Sequence, residues 1–328
     1  MNIYDIAKEA GVSIATVSRV LNNKGTVSAA TRARVEAILK QNNYTPSAIA
    51  RGMVSKSMRT VAVLTVDIRV PHYARTAYTI EREFSRRGYE VILCNTGGDR
   101  AETLRYLQVV NQKQVDGIVL VGSVFDTICQ GAEMEKLLTG VPVVLANGKL
   151  DLPNAYSVTV DDKYGVSLAV EHLAEKGRQN IYYIKDRDTD SARAKRDGFL
   201  EAMRRHGLAF ADHVLEAGET LEDAVNATQK LLAQGIVPDG IVCGEDLTAA
   251  GALKALLRAG LRVPGQVAVV GFNNSDYAHL CEPVLTSVDN KPEQVALLCV
   301  QLLESSIERS EAYSSVVLQP ELAQGETS

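Results

Sequence analysis

From Val61 onward the sequence alternates short apolar runs rich in β-branched residues with helical stretches, and this alternation constrains the fold more than any other feature. A first set of runs reads VAVLTV, EVILCN, GIVLVG and VPVVLAN, and a second set reads SVTVD, IYYIKD, GIVCGE and VAVVGFN. Strands that are apolar throughout and separated by helices are typical of parallel sheets covered on both faces. The sequence therefore predicts an α/β body of two doubly wound subdomains.

Near its carboxyl end the chain is expected to cross back between the two halves of the body. After Leu285 come the run TSVD, a helix from Pro292 to Ile307, and the run SSVVLQPEL. We therefore expect an N-subdomain of residues 60–158 with 288–313, and a C-subdomain of residues 159–287 with 314–328. Because single cores stop growing near ~250–300 residues, a chain of 328 residues leaves room for a further domain in residues 1–46 and a hinge in 47–59.

Charge is distributed unevenly along the chain. Residues 1–60 hold nine Lys or Arg and three acids, a net charge of +6, whereas the whole chain carries -5 and the remainder therefore carries -11. A basic head on an acidic body indicates a polyanionic partner for the head.

The head has the pattern of three short helices. Ile3–Ala10 has small and apolar residues at helical spacing, Gly11 suits a left-handed turn, and Ser13 stands at an N-cap position ahead of residues 14–21. Ser28 is expected to cap a third helix that extends to Gln41. Two helices joined by a glycine turn and braced by a third form a helix-turn-helix, whose second helix fits the DNA major groove. A helical hairpin that only stabilises the body is the alternative.

The segments DIAKEAGVSIATVSRVLNN and VSAATRARVEAILKQNNYTPSAIAR resemble the DNA-binding head of the LacI/GalR family of bacterial transcriptional regulators. The resemblance implies a body with the periplasmic-binding-protein-like fold. It also implies a homodimer, a pseudo-palindromic double-stranded DNA operator and a small-molecule effector that acts allosterically. A repressor is the expected kind of regulator, and no leucine heptads follow the last strand to indicate a tetramer.

Several head and hinge residues are candidates for DNA contact. Arg19 suits a bidentate contact with guanine. The resemblance puts base reading at Ile14 and Ala15, which are apolar here and could touch a thymine methyl group. The full set of expected DNA-binding residues is Tyr4, Ser13, Ile14, Ala15, Thr16, Ser18, Arg19, Asn22, Ala50 and Met53. Tyr4, Thr16 and Ser18 are expected at phosphates, which set the register without reading sequence.

Residues 47–54 form a short helical pattern that is too short to be stable alone. In the family this segment folds when two copies pair in the minor groove and a leucine wedges between base pairs. Met53 occupies that place here and is apolar and flexible enough to wedge. A plain linker is the alternative.

Polar residues follow several predicted strands, where ligands of doubly wound sheets bind. The resemblance selects Tyr73, Asn147, Arg196, Glu245 and Asn273 as effector-binding residues. Family members commonly have Asn where Glu245 stands and Asp where Asn273 stands. These residues could instead have purely structural roles: the two asparagines as turn residues, Glu245 and Arg196 as an ion pair, and Asp246 as a helix N-cap.

These candidates are polar apart from one aromatic ring, which suits a sugar or polyol first and a nucleobase or nucleoside second. Buried hydroxyl-reading groups reject a ligand that leaves them unpaired.

Other classes of protein are disfavoured by missing motifs. The five cysteines are odd in number and none are closely paired, which indicates buried thiols in a reducing compartment. No histidine pair, G-x-S-x-G elbow or P-loop is present, so we expect no metal, no cofactor and no enzyme activity. No signal segment or membrane-length apolar run is present, so we expect a cytoplasmic protein, nucleoid-associated when bound. A secreted solute-binding protein would share the body but lack the head.

Overall fold

The computed structural model describes residues 3–21, 25–42, 57–308 and 315–328. The chain divides into two compact units, which we call the head and the body, with the division between Arg59 and Thr60. Asn22, Ala50 and Met53 lie outside the described residues, as does the expected hinge as far as residue 56, so what was expected of them stays a prediction.

The head contains the three expected helices, which are Ile3–Ala10 (α1), Ile14–Leu21 (α2) and Ala29–Gln41 (α3). They share one apolar cluster of fully or nearly fully buried side chains, made of Ile6, Ala7, Ala10, Val17, Val20 and Val35. Because the three helices each contribute to this one cluster, the head has its own core.

Local sequence sets the limits of the head helices. Gly11 joins α1 to α2 with φ of 62°, in the left-handed region that favours glycine. The Ser13 hydroxyl accepts a hydrogen bond from the Thr16 amide at 3.2 Å, and Ser28 accepts one from the Thr31 amide at 3.2 Å. Both serine caps are confirmed, because each satisfies an amide that the helix itself leaves unpaired.

The body contains two six-stranded sheets. The first has the order β11-β5-β4-β3-β1-β2, and all of its pairs are parallel. Its strands are Thr60–Thr65 (β1), Glu90–Asn95 (β2), Gly117–Val121 (β3), Val143–Ala146 (β4), Ala155–Val160 (β5) and Val316–Leu318 (β11).

The second sheet of the body has the order β12-β10-β9-β8-β6-β7, and among its described pairs only that of β12 is antiparallel. Its strands are Ile181–Lys185 (β6), Val214–Glu216 (β7), Gly240–Cys243 (β8), Ala268–Phe272 (β9), Thr286–Asp289 (β10) and Glu321–Ala323 (β12).

Helices cover both faces of each sheet, as the apolar strands predicted. We call the half around the first sheet the N-lobe; its helices are Pro71–Arg86 (α4), Arg100–Gln112 (α5), Phe125–Ile128 (α6), Ala132–Leu138 (α7) and Pro292–Ile307 (α13). The half around the second sheet is the C-lobe; its helices are Asp162–Glu175 (α8), Asp190–Arg205 (α9), Leu221–Ala233 (α10), Asp246–Arg258 (α11) and Asp276–Leu280 (α12). Alternate strand residues enter opposite clusters: Val61 and Val63 face α4 and α13, whereas Ala62 and Leu64 face α5 and α7. No helix in the described part of the chain is both long and apolar enough to cross a membrane.

The chain passes between the lobes after β5, after β10 and after β11. Three expected subdomain boundaries are therefore wrong in detail. The run SVTVD was placed in the second half, but β5 pairs with β4 in the N-lobe, with Ala155 opposite Val143. Residues 314–328 were assigned to the C-subdomain, but β11 pairs with β5, with Val316 opposite Val158. Val288 and Asp289 were assigned to the N-subdomain, but they lie in β10 of the C-lobe. An apolar run reveals a strand, but its partner depends on tertiary pairing.

Candidate effector cavity and DNA-reading helix

A cavity lies between the lobes, where the carboxyl ends of the parallel strands of both sheets face each other. It has an empty volume of about 480 Å³, counting space open to solvent. The N-lobe contributes His72, Tyr73, Gly122, Ser123 and Asn147; the C-lobe contributes Asp162, Asp186, Arg187, Thr189, Ser191, Ala192, Lys195, Glu245 and Asn273; and the passage after β10 contributes Asn290. Most of these residues immediately follow a strand or lie in the first turns of the next helix, as expected for a ligand site in doubly wound sheets.

Four of the five predicted effector residues line this cavity: Tyr73, Asn147, Glu245 and Asn273. Tyr73 is buried in the first turn of α4, and its burial raises its pKa to about 12. Its ring lies 4.0 Å from that of His72, centroid to centroid. Asn147 adopts φ of 57°, and its buried Oδ1 has no hydrogen-bond partner in the described structure. Asn147 therefore serves as a turn residue and still offers an acceptor to the cavity.

Arg196 does not line the cavity, and its predicted position there is wrong. Its side chain is 37% exposed and donates to Asp197 at 2.8 Å. The preceding residue, Lys195, is buried and points inward, because one step along a helix turns a side chain by about 100°. The Lys195 Nζ donates to the Gly244 carbonyl at 2.9 Å and lies 3.8 Å from the centre of the Phe272 ring.

A chain of hydrogen bonds joins Glu245, Asn273 and Asn290. The Asn273 Nδ2 donates to Glu245 Oε2, and the Asn290 Nδ2 donates to Asn273 Oδ1 at 2.7 Å. His72 lies at the same point, with its Nδ1 3.6 Å from Glu245 Oε2. This chain connects the end of β8 to the end of β9 and then to the passage between lobes after β10.

The remaining charged groups of the cavity are held by neighbours. Asp186 accepts from Arg187 Nε at 3.2 Å, and Asp162 accepts from the Ser191 hydroxyl at 2.6 Å. Burial raises the pKa of both carboxyls, and the charge of Glu245 adds to the rise for each. Burial opposes the charge of Arg187, but Glu245 and Asp186 outweigh it and hold the Arg187 pKa above its usual value.

Asp246 does not cap the helix that it begins. Its Oδ2 accepts from the Ser275 amide at 2.7 Å and hydroxyl at 2.8 Å, and its Oδ1 accepts from the Ser287 hydroxyl at 2.6 Å. It therefore fastens the end of β8 to the segments beside β9 and β10. Burial raises its pKa to about 7 despite these hydrogen bonds.

Sequence reasoning named neither Lys195 nor Asn290 as an effector residue. Lys195 directly precedes the predicted Arg196, so only the helix register was missing. Asn290 directly follows the run TSVD, and the same strand-end rule would have found it. In the described residues no group of three or more His, Cys, Asp or Glu side chains is arranged to hold a metal ion.

In the head, helix α2 presents the residues expected to read bases. Ile14 is 40% exposed, and Ala15 and Arg19 are exposed as well, whereas Thr16 and Ser18 are half-buried. Tyr4 on α1 is 67% exposed. The Arg19 side chain runs beside Gly25, where an added Cβ would lie 3.4 Å from its Cδ. The Ser13 hydroxyl is engaged in capping α2, so DNA contact would compete with its hydrogen bond to Thr16.

Known families match both units. A model described as bacterial regulatory proteins, lacI family, matches residues 2–47, and one described as periplasmic binding protein-like domain matches residues 170–328. An HTH-type transcriptional regulator of Lachnoclostridium phytofermentans is 35% identical over 92% of each chain. The ribose operon repressor of Halalkalibacterium halodurans is 34% identical, covering 94% of this chain and 90% of that protein.

Solved structures resemble the whole described fold. A Lac repressor dimer bound to operator and the anti-inducer ONPF matches with a TM-score of 0.88 and 24% identity, covering 100% of this chain and 98% of that chain. The transcriptional regulator CelR in complex with cellobiose matches with a TM-score of 0.71 and 26% identity, covering 100% of both chains.

Fold, cavity and relatives together define a DNA-binding transcriptional regulator with a periplasmic-binding-protein-like body. The chain belongs to the LacI family of bacterial regulatory proteins. As a member of this family of regulators it binds DNA. A solute-binding protein without a regulatory role is therefore set aside.

Proposed function

We propose that this regulator is a repressor whose effector is a small sugar or polyol bound in the cavity between the lobes. The observation that carries the proposal is the cavity lining, in which hydrogen-bonding side chains from both lobes surround one shared cavity. The hydroxyl groups of a sugar both donate and accept hydrogen bonds, so they can pair with the carboxylate, amide, ammonium and guanidinium groups that line the cavity. A ligand lacking hydroxyls would leave several of these groups unpaired.

Relatives support the same ligand class. Four are named as ribose operon repressors, and one solved structure contains cellobiose. A nucleobase or nucleoside is the second candidate, since a relative is named as the repressor PurR. A flat base calls for a ring stacked on its face. The rings of Tyr73 and His72 are tilted by 52° to each other, so they cannot both stack on one flat base, and the hydrogen-bonding lining favours the sugar.

Coupling to DNA would follow from the ligand's contacts with both lobes. A ligand that pairs with Asn147 of the N-lobe and Glu245 of the C-lobe stabilises the arrangement in which these residues face each other. Two copies paired through their bodies would place their heads on successive major grooves, and the paired segments around Ala50 and Met53 would enter the minor groove between them. An effector that favours one arrangement of the lobes then changes operator affinity.

On the DNA, we propose that Arg19 contacts a guanine and that Ile14 and Ala15 contact thymine methyl groups. Tyr4, Thr16 and Ser18 would position the head on phosphates, with Ser13 and Asn22 beside them. The proposal includes no catalysed reaction, and operator binding would place the protein in the cytoplasm.

The experiment uses the full-length protein and has two parts. Selection from fragmented genomic DNA identifies an operator, and fluorescence anisotropy measures its affinity. Isothermal titration calorimetry against neutral monosaccharides, polyols and purine nucleosides identifies the ligand class, and anisotropy is repeated with each binder. We expect a sugar or polyol to bind and to change operator affinity by about tenfold or more. Binding of nucleosides alone would contradict the ligand class, and failure to select any DNA would contradict the regulatory role.

A further inference from the structure

The cavity carries more negative than positive groups. Three carboxylates, Asp162, Asp186 and Glu245, face two cations, Arg187 and Lys195. His72 adds no positive charge at neutral pH, because burial and the nearby charges of Arg187 and Lys195 lower its pKa to about 3. With all three carboxyls ionised, the cavity holds one more negative than positive group.

The two cations are already engaged by the protein. Arg187 binds Asp186 through Nε, and its Nη2 lies 3.6 Å from Glu219 Oε2. Lys195 is fixed between the Gly244 carbonyl and the Phe272 ring. The Glu245 carboxylate, 14% exposed, has the neutral His72 beside it and no Lys or Arg nitrogen in ion-pair contact within the described structure. Arg187 attracts Glu245 only from beyond ion-pair distance, so the position beside the Glu245 carboxylate is open to a cation.

The hydrogen-bond chain from Glu245 has a fixed direction. A carboxylate only accepts, so Asn273 must turn its Nδ2 towards Glu245 and its Oδ1 away. Asn290 must then donate its own Nδ2 to Asn273 Oδ1. Its remaining Oδ1 is buried without a hydrogen-bond partner in the described structure, and the same holds for Asn147 Oδ1. Both residues line the cavity, so the unpaired buried atoms are acceptors that call for a donor on the ligand.

We propose that the effector carries a protonated amino group, as an amino sugar or amino polyol does, and that Glu245 is its counter-ion. This inference rests on the proposed sugar or polyol site. An ammonium group donates three hydrogen bonds and accepts none, whereas a hydroxyl donates one. It therefore fits a surface with surplus acceptors and surplus negative charge. Hydrogen bonds between charged groups are also roughly twice as strong as neutral ones. The same surplus disfavours sugar phosphates and sugar acids.

Matched ligand pairs test the proposal by calorimetry on the full-length dimer at pH 6.5. The pairs are D-glucosamine with D-glucose, D-galactosamine with D-galactose, and D-mannosamine with D-mannose. Each pair differs by one group, and the corresponding N-acetyl sugars remove the charge while keeping the nitrogen. We expect an amino sugar to bind about tenfold or more tightly than both its hydroxyl parent and its N-acetyl form.

Glu245→Gln removes the charge but keeps an acceptor for Asn273. We expect it to reduce the preference for the amino sugar over its parent to about threefold or less, whatever its effect on the parent sugar itself. Glu201→Gln is the matched control, because Glu201 lies on the outer face of α9, paired with Lys163, and should keep the full preference. Thermal melting of both variants checks that the body remains folded.

The outcomes separate this inference from the proposed function. If neutral sugars bind and their amino counterparts bind equally or more weakly, the amino-group inference is wrong and the proposed sugar site stands. A preference that survives Glu245→Gln would also overturn the assignment of Glu245. If neither neutral nor amino members of the panel bind, the proposed site and this inference both fail.

Discussion

Lys195 is the residue whose side chain most directly links helix α9 to the effector cavity. Replacing it with methionine keeps most of its volume but removes the charge that faces Asp162 and Asp186. We expect Lys195→Met to weaken binding of a neutral sugar or polyol by about tenfold or more, because a donor in the cavity is lost, while operator affinity without effector stays within about twofold. Calorimetry and anisotropy with the ligand found in the screen measure the two quantities.

Arg196→Ala is the matched comparison for Lys195→Met, since Arg196 is the next residue and is bonded to Asp197. It should leave both effector binding and the DNA response unchanged within about twofold, because exposed ion pairs contribute little. A loss of response equal to that of Lys195→Met would show that Arg196 reaches the ligand after all.

Arg19 is exposed on the helix that we assign to the major groove. Its replacement by alanine should weaken binding to the selected operator by ~1–3 kcal/mol, because a bidentate contact with guanine is lost. Affinity for unrelated DNA should fall much less. An equal loss on both kinds of DNA, measured by anisotropy at one fixed salt concentration, would mean that Arg19 contacts phosphate only.

Asp246 predicts a pH dependence of stability. Burial raises its pKa in the folded state from the ordinary value of 3.8 to about 7. The unfolded chain therefore releases this proton first, and the contribution of Asp246 to stability falls as pH rises from about 4 to about 7. Asp246→Asn should lower the free energy of unfolding, because one of the oxygens that accept hydrogen bonds from Ser275 and Ser287 is lost. It should also abolish the loss of stability between about pH 4 and pH 7 that Asp246 causes. Urea unfolding at pH 5 and pH 7.5 measures both; an unchanged pH dependence in the variant would contradict the assignment.

At the scale of elements, helices α8 and α9 pack at a glycine. A Cβ built on Gly198 would lie 2.9 Å from the Cα of Lys163 and nearer still to its carbonyl oxygen. Because backbone atoms cannot move aside as a flexible side chain can, Gly198→Ala should destabilise the body by ~1–3 kcal/mol. The cavity residues of α9 should shift with the helix, so effector binding should weaken too.

Gly140→Ala is the control for Gly198→Ala, since nothing lies within 4 Å of a Cβ at Gly140. Chemical unfolding of the two variants gives the difference in stability. Equal stabilities would show that the C-lobe absorbs the extra methyl group, and the close approach of α8 and α9 would then have no energetic role.

Element type and approximate position could be predicted from the sequence because both follow from local periodicity and caps. The run SVTVD, residues 157–161, was predicted as a strand, and the structure has a strand at residues 155–160. The sheet to which it belongs was predicted wrongly. Strand β5 pairs with β4 and β11, and the local sequence of a strand does not show which strands it pairs with. The same limit applies to α9: the helix was expected, but the side chain that faces the cavity depends on which face packs on the C-lobe core.

At the scale of the molecule, the lobes are joined by the passages after β5, β10 and β11. A ligand held by both lobes should stabilise the body by about 2.7 kcal/mol at one hundred times its dissociation constant. It should also slow amide exchange at Asn290 and its neighbours, because Asn290 lies on one passage and lines the cavity. Thermal melting and hydrogen–deuterium exchange with and without ligand test this. Slowed exchange confined to one lobe would contradict binding across the cleft.

The sequence by itself determined the two-part plan of the protein. Periodicity, the Ser13 and Ser28 caps and the turn at Gly11 are local properties, so they predicted a basic three-helix head and an α/β body without any knowledge of contacts. The strand-end rule likewise predicted that Asn147, Glu245 and Asn273 would meet, because parallel strands bring their carboxyl ends to one edge.

Only the tertiary structure decided which neighbours enter the cavity and how they pair. Lys195 rather than Arg196 faces inward because α9 rests its other side chains on the C-lobe core. Asn290 lies at the cavity because the chain passes between the lobes there. Its Oδ1 has no hydrogen-bond partner in the described structure, because Glu245 fixes the direction of the hydrogen bonds from Asn290 to Asn273 and from Asn273 to Glu245. Such hydrogen bonds join residues that no local pattern relates, so they appear only once the two lobes are folded and packed.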